Sequence, residues 1–107
     1  MVPSMLSKKN KQSRARLVKR WKDKLQNGAI NEGVIWELPE PTADRPHGYK
    51  YRLNYTFPSG AYIRYDNGAG KKDHKHLGTS IEPYEFIDVN HLIEDFEQDV
   101  LQSGGIL

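Results

Sequence analysis

The chain has 107 residues, 36% of them hydrophobic and 28% charged, with no cysteine and a formal net charge of +2. A chain this short fills one hydrophobic core rather than two, and the lack of cysteine excludes a disulfide scaffold, a thiolate metal site, an iron–sulfur cluster and a cysteine nucleophile. No apolar run approaches the roughly 18 residues of a membrane span, and the basic start lacks the apolar stretch of a secretory signal, which suits a cytoplasmic protein.

The small net charge hides an asymmetry. Residues 1–26 hold nine Lys or Arg against the single Asp23, residues 79–107 hold seven Asp or Glu and no Lys or Arg, and the middle is nearly balanced. Such a chain offers one surface to polyanions and another to a different partner, or lets the two ends attract each other, which allows a homodimer.

Residues 1–12 read as a basic flexible tail, and 13–104 as a single domain. Leu17, Trp21 and Leu25 recur at i, i+4 and i+8, with Asn27-Gly28 as a left-handed stop, so the spacing predicts a helix ending at Gln26 with a basic outer face. Val34, Trp36 and Leu38 alternate with Ile35 and Glu37 as a short strand, closed by Pro39 and Pro41. The clearest alternation runs from His47 to Phe57: Tyr49, Tyr51, Leu53, Tyr55 and Phe57 on one face, Lys50, Arg52, Asn54 and Thr56 on the other. After the turn at Pro58-Ser59-Gly60, Ala61, Ile63 and Tyr65 continue the apolar face, with Tyr62, Arg64 and Asp66 behind. Asn67 to Gly78 reads as a glycine-rich loop and Tyr84 to Ile87 as a short strand. Asp88 is the predicted N-cap of a last helix carrying Val89, Leu92, Ile93, Phe96 and Val100, stopped by Gly104-Gly105. The predicted fold is α+β, a small, mostly antiparallel sheet of three to four strands flanked by an N-terminal and a C-terminal helix.

The candidate site is the segment from Asp66 to His76. Imidazoles exchange protons near neutral pH, lysines neutralise phosphate oxygens, and glycines let backbone N–H groups approach a ligand. Metal-independent RNA cleavage needs a base for the 2′-hydroxyl, an acid for the leaving 5′-oxygen and a cation for the charge on phosphorus. His74 and His76 are the candidate acid and base, with Asp66 or Asp73 orienting one of them. Lys50, Arg52, Arg64, Lys71, Lys72 and Lys75 are the candidate nucleic-acid contacts. In an extended segment His74 and His76 share one side while Asp73 and Lys75 face away. A His-x-His pair beside an aspartate is also a weakly specific metal pattern; the adopted reading uses no metal and no other cofactor. His47 and His91 read as structural. The tyrosine ladder is expected to form core beneath a helix rather than a stacking platform for bases. The same residues also fit a non-enzymatic nucleic-acid or protein-binding module whose histidine loop is a structural corner.

Val34-Ile35-Trp36 with Leu38-Pro39, His47-x-Tyr49-Lys50-Tyr51-Arg52-Leu53-x-Tyr55, Tyr65-Asp66-Asn67-x-x-Gly70-Lys71 and Asp73-His74-Lys75-His76, together with Tyr84-x-Phe86, Leu92 and Asp95-Phe96, resemble the TumE-type toxin family of prokaryotic toxin–antitoxin pairs. The resemblance spans about residues 33–100, and the basic N-terminal extension departs from it. It implies a small toxin silenced by a helix-turn-helix antitoxin, and it supplies no catalytic residues.

Overall fold

The computed structural model describes residues 14–68 and 70–107; the tail expected over 1–12 lies outside them. Among the described residues the chain forms β1 (Arg16–Lys24), β2 (Ile30–Glu37), β3 (Tyr49–Thr56), β4 (Tyr62–Asp66), β5 (His74–Leu77), β6 (Ser80–Pro83) and α1 (Val89–Gln102). The strands make one antiparallel meander in the order β1-β2-β3-β4-β5-β6. The α+β class and the C-terminal helix are as expected, whereas the sheet has six strands rather than three or four and its first element is not a helix.

The predicted N-terminal helix is β1. A spacing of four residues is even, so it marks one face of a strand as well as one face of a helix. Asn27-Gly28 is likewise both a helix stop and a hairpin signal. Here it turns β1 into β2, with the Leu25 N–H on the Ala29 carbonyl at 2.8 Å and Gly28 at φ +91°. An irregularity in register between Leu17 and Lys19 then splits the apolar stripe. Leu17 pairs with Trp36, and Trp21 pairs with Gly33. The Trp21 indole occupies the space over Gly33, and its Nε1–H donates to Asn31 Oδ1 at 3.0 Å. A Cβ at Gly33 would sit 2.3 Å from Trp21 Cζ2. Gly33→Ala should therefore expel the indole and cost about 1–3 kcal/mol, read as a lower urea midpoint; an unchanged midpoint would show that Trp21 does not pack there.

Two further expectations are corrected. Part of the predicted loop 67–78 is β5, which pairs with β4 through Ile63↔Leu77, Arg64↔His76 and Asp66↔His74. Tyr84 to Ile87 is not a strand, because β6 has taken the pairing beside β5. Its aromatic rings pack instead: Tyr84 edge-on to Tyr65 at 4.9 Å and Phe86 stacked on His47 at 4.0 Å.

Alternation divides the sheet into two faces. Ile35, Tyr51, Leu53, Tyr55, Ile63 and Tyr65 turn to α1 and bury with its Leu92, Phe96 and Val100, so the tyrosine ladder is core, as expected. Each buried phenol has a partner, as a polar atom leaving water requires. Tyr55 Oη donates to the Ile106 carbonyl at 2.8 Å, tying the end of the chain to the sheet. Tyr65 donates to Asp99, and Tyr84 to Asp95 Oδ2 at 2.6 Å. Two of the helix's acidic groups thus serve the tyrosines beneath it, and burial with these carboxylates raises both phenols above their ordinary range.

Asp88 caps α1 as expected, accepting the His91 N–H at 2.8 Å. At the far end the Gly105 N–H meets the Val100 carbonyl and the Gly104 N–H the Leu101 carbonyl, a Schellman closure. The Asp88 carboxylate also faces His91 Nδ1 at 2.9 Å, so hydrogen bonding to it raises the imidazole, and the backbone and ring of His91 lower the carboxyl. The stabilisation by His91 is lost as pH rises through its elevated value, and that by Asp88 as pH falls through its depressed one. Both are fully present between the ordinary values of 3.8 and 6.5. An NMR titration should place His91 above the ordinary histidine midpoint, and Asp88→Asn should bring it back down; a midpoint indifferent to Asp88 would break the assignment.

Candidate functional site

The face of the sheet opposite α1 carries the candidate site. Antiparallel register lines up its side chains in rows across five strands. One row is Arg20, Val34, Arg52, Asp66 and His74; the next is Lys22, Glu32, Asn54, Arg64 and His76. Two adjoining hollows on this face share Val34, Arg52 and Arg64; one reaches Arg20 and Lys22, the other Lys50, Asp66 and Lys71. On β5 both rows carry histidine, and β6 continues them with Pro83 and Ile81.

The histidine rings meet edge to face with centroids 5.0 Å apart. His74 Nε2 lies 3.2 Å from Asp66 Oδ1, and its Nδ1 lies 2.8 Å from the Lys72 carbonyl. The Lys72 carbonyl takes the Nδ1–H in a hydrogen bond, while Asp66 stands beside Nε2 as a charge neighbour. Partial burial lowers the pKa of His76, and the adjacent His74 lowers it further. The pair is thereby differentiated, one ring held on a carbonyl beside a carboxylate and the other biased towards its free base. Arg64 is fixed beside them, its Nε–H donating to Asn54 Oδ1 at 3.0 Å and its guanidinium over Tyr62 at 4.8 Å.

Of the residues singled out in the sequence, the structure brings together His74, His76, Asp66, Lys50, Arg52, Arg64 and Lys71 on or beside this face. Lys72 is exposed and contributes its carbonyl to His74. Asp73 and Lys75 lie on the other side, as strand parity requires. The Lys75 ammonium is paired with Asp99 Oδ2 at 3.2 Å. Asp73 accepts from Tyr51 Oη at 2.6 Å and from His47 Nε2 at 2.8 Å. His47 Nδ1 accepts the Tyr49 N–H at 3.1 Å, so it is Nε2–H that donates to Asp73. The pKa of Tyr51 is pushed far up by burial and by this bond to Asp73.

Asn67 completes the Tyr65-Asp66-Asn67 run in a different way. It is fully buried, accepting the Tyr51 N–H at 3.0 Å and donating to the Tyr49 carbonyl at 2.8 Å. Three consecutive residues thus serve the helix, the site and the neighbouring strand. The reading of the sequence missed Arg20 and Lys22, because a helix assignment scattered them. The period-two placement of Arg20, Lys22 and Lys24 around Trp21 was the available signal.

Among the described residues no helix is long and apolar enough to cross a membrane. The family model described as toxin TumE matches residues 4–103, so the basic N-terminal segment expected to depart from that family falls largely within the match. No curated protein and no solved structure matches the chain.

Proposed function

Because the chain belongs to the TumE toxin family, the toxin half of a toxin–antitoxin pair, we propose that it acts on RNA as a metal-independent endoribonuclease. The observation that carries this reading is the imidazole pair, 5.0 Å apart, on β5 in two side-chain rows rich in Arg and Lys on the sheet face opposite the helix. Single-stranded RNA follows the rows, its phosphates held by Arg20, Arg52, Lys50 and Arg64. With a phosphodiester over the pair, His76 takes the 2′-hydroxyl proton and the 2′-oxygen attacks phosphorus. His74, its Nδ1 anchored on the Lys72 carbonyl, protonates the departing 5′-oxygen from Nε2, and Asp66 beside it offsets the ring's positive charge. The products are a 2′,3′-cyclic phosphate and a 5′-hydroxyl end. Arg64 and Lys71 offset the charge that gathers on the phosphoryl oxygens. The partner is an antitoxin of helix-turn-helix type that covers this basic face.

The second reading is a toxin that occupies RNA without cleaving it, favoured by the extent of the rows, which run four strands beyond the histidines. Purified protein incubated with RNA in EDTA should leave cyclic-phosphate ends. RNA bound with a steep salt dependence but left intact would replace the nuclease with the binder.

A further inference from the structure

We propose that Asp66, His74 and His76 form a three-ligand site for a zinc-class divalent cation, and that its occupation silences the toxin. The ligand atoms these residues offer all lie within 4.8 Å of one another. Two imidazoles and one carboxylate suit zinc better than magnesium or calcium, which favour all-oxygen shells.

Three features go beyond ligand type. The 3.2 Å between His74 Nε2 and Asp66 Oδ1 is long for a charge-assisted hydrogen bond, which falls at about 2.7–2.9 Å. It matches the edge of a tetrahedron with bonds of about 2.0–2.1 Å, roughly 3.3 Å. Next, the 2.8 Å contact of His74 Nδ1 with the Lys72 carbonyl is what a metal-bound histidine uses to fix its tautomer: Nδ1 keeps its proton and Nε2 turns its lone pair to the metal. Finally, the ligands come from paired strands, Asp66 opposite His74 and Arg64 opposite His76, so backbone hydrogen bonds hold the spacing before any ion arrives. His76 closes the third corner by a small ring movement, leaving the fourth position to water or to an anion drawn by Arg64 and Lys71.

With zinc in this site the lone pairs of both imidazoles are engaged, and proton transfer through them stops. The silencing half rests on the nuclease reading above, and the binding half does not.

The test titrates zinc chloride into the EDTA-treated, buffer-exchanged full chain by calorimetry. One ion per chain is expected. His74→Ala, His76→Ala and Asp66→Asn, each shown to be folded by circular dichroism, should weaken it by more than the about 10–100-fold that loss of a ligand's hydrogen-bonding support alone costs, while His91→Ala keeps the wild-type affinity. Cleavage that runs in EDTA should stop at one equivalent of zinc. No zinc bound by the wild-type chain, or zinc bound equally by the wild type and the His74→Ala/His76→Ala double variant, overturns the site. Cleavage lost in EDTA and restored by zinc overturns the silencing. Stoichiometric zinc binding to a chain that cleaves no RNA upholds the site and removes the nuclease; cleavage by a chain that binds no zinc does the reverse.

Discussion

His74→Ala and His76→Ala should each lower RNA cleavage by about 10²–10⁴-fold, the usual worth of a positioned acid or base, and cells should tolerate either variant without antitoxin. The expectation rests on the two rings doing different work. In the proposed mechanism His76, its pKa lowered by burial and by its neighbour, serves as base, and His74, beside Asp66 Oδ1 and on the Lys72 carbonyl, serves as acid. Neither side chain belongs to the buried cluster under α1, so both variants should stay folded, with His74→Ala losing about 0.5–1.5 kcal/mol for the hydrogen bond it gives up to the Lys72 carbonyl. Because the two act on one substrate, the double variant should lose little more than either single one, since groups that work as a unit are non-additive. The measurement is a time course of cleavage beside growth on induction. Two variants as toxic and as active as the parent would end the acid–base assignment.

Asp73→Ala should have the opposite signature, a loss of about 2–4 kcal/mol in unfolding free energy. One carboxylate accepts from Tyr51 Oη and from His47 Nε2, and its removal leaves two part-buried donors without their acceptor, at about 1–3 kcal/mol each. The His47 ring stacked under Phe86 would then lose its anchor, loosening the stretch that leads into α1. Urea unfolding reads the loss directly. A variant that unfolds at the wild-type midpoint yet no longer cleaves RNA would move Asp73 into the chemistry. Asp66→Ala supplies the contrast, with cleavage reduced and the midpoint nearly unchanged.

These two aspartates show where a sequence stops being legible. Asp66 and Asp73 have the same chemistry and both lie within ten residues of the histidines, so either could orient one of them. The side of the strand on which Asp73 falls followed from counting, since 73 and 75 alternate with 74 and 76. Which aspartate reaches an imidazole depends on the pairing of β4 with β5, and register is set between strands, not within one. Asp73 then found an unforeseen partner in His47, 26 residues away.

The first strand failed for a different reason. Leu17, Trp21 and Leu25 satisfy a period that helix and strand share, and Asn27-Gly28 closes either element. The tie is broken by β2, which offers β1 a line of backbone partners and, at Gly33, the space for an indole. Tertiary context outweighs helix propensity at such a site, where single residues differ by tenths of a kcal/mol. By contrast α1 was readable almost to the residue, because its cap, its apolar stripe and its stop are all local to the chain.

The sequence by itself determined the class, the core face of the central hairpin and the last helix, and in a chain without cysteine it left histidine as the candidate for proton transfer. Tertiary structure alone decided that Arg16–Lys24 lies flat in the sheet, which puts Arg20 and Lys22 in line with Arg52, Arg64 and the histidine pair. The physical reason is that periodicity records which way a side chain points relative to its own backbone, whereas a site is made by register, and register belongs to pairs of strands.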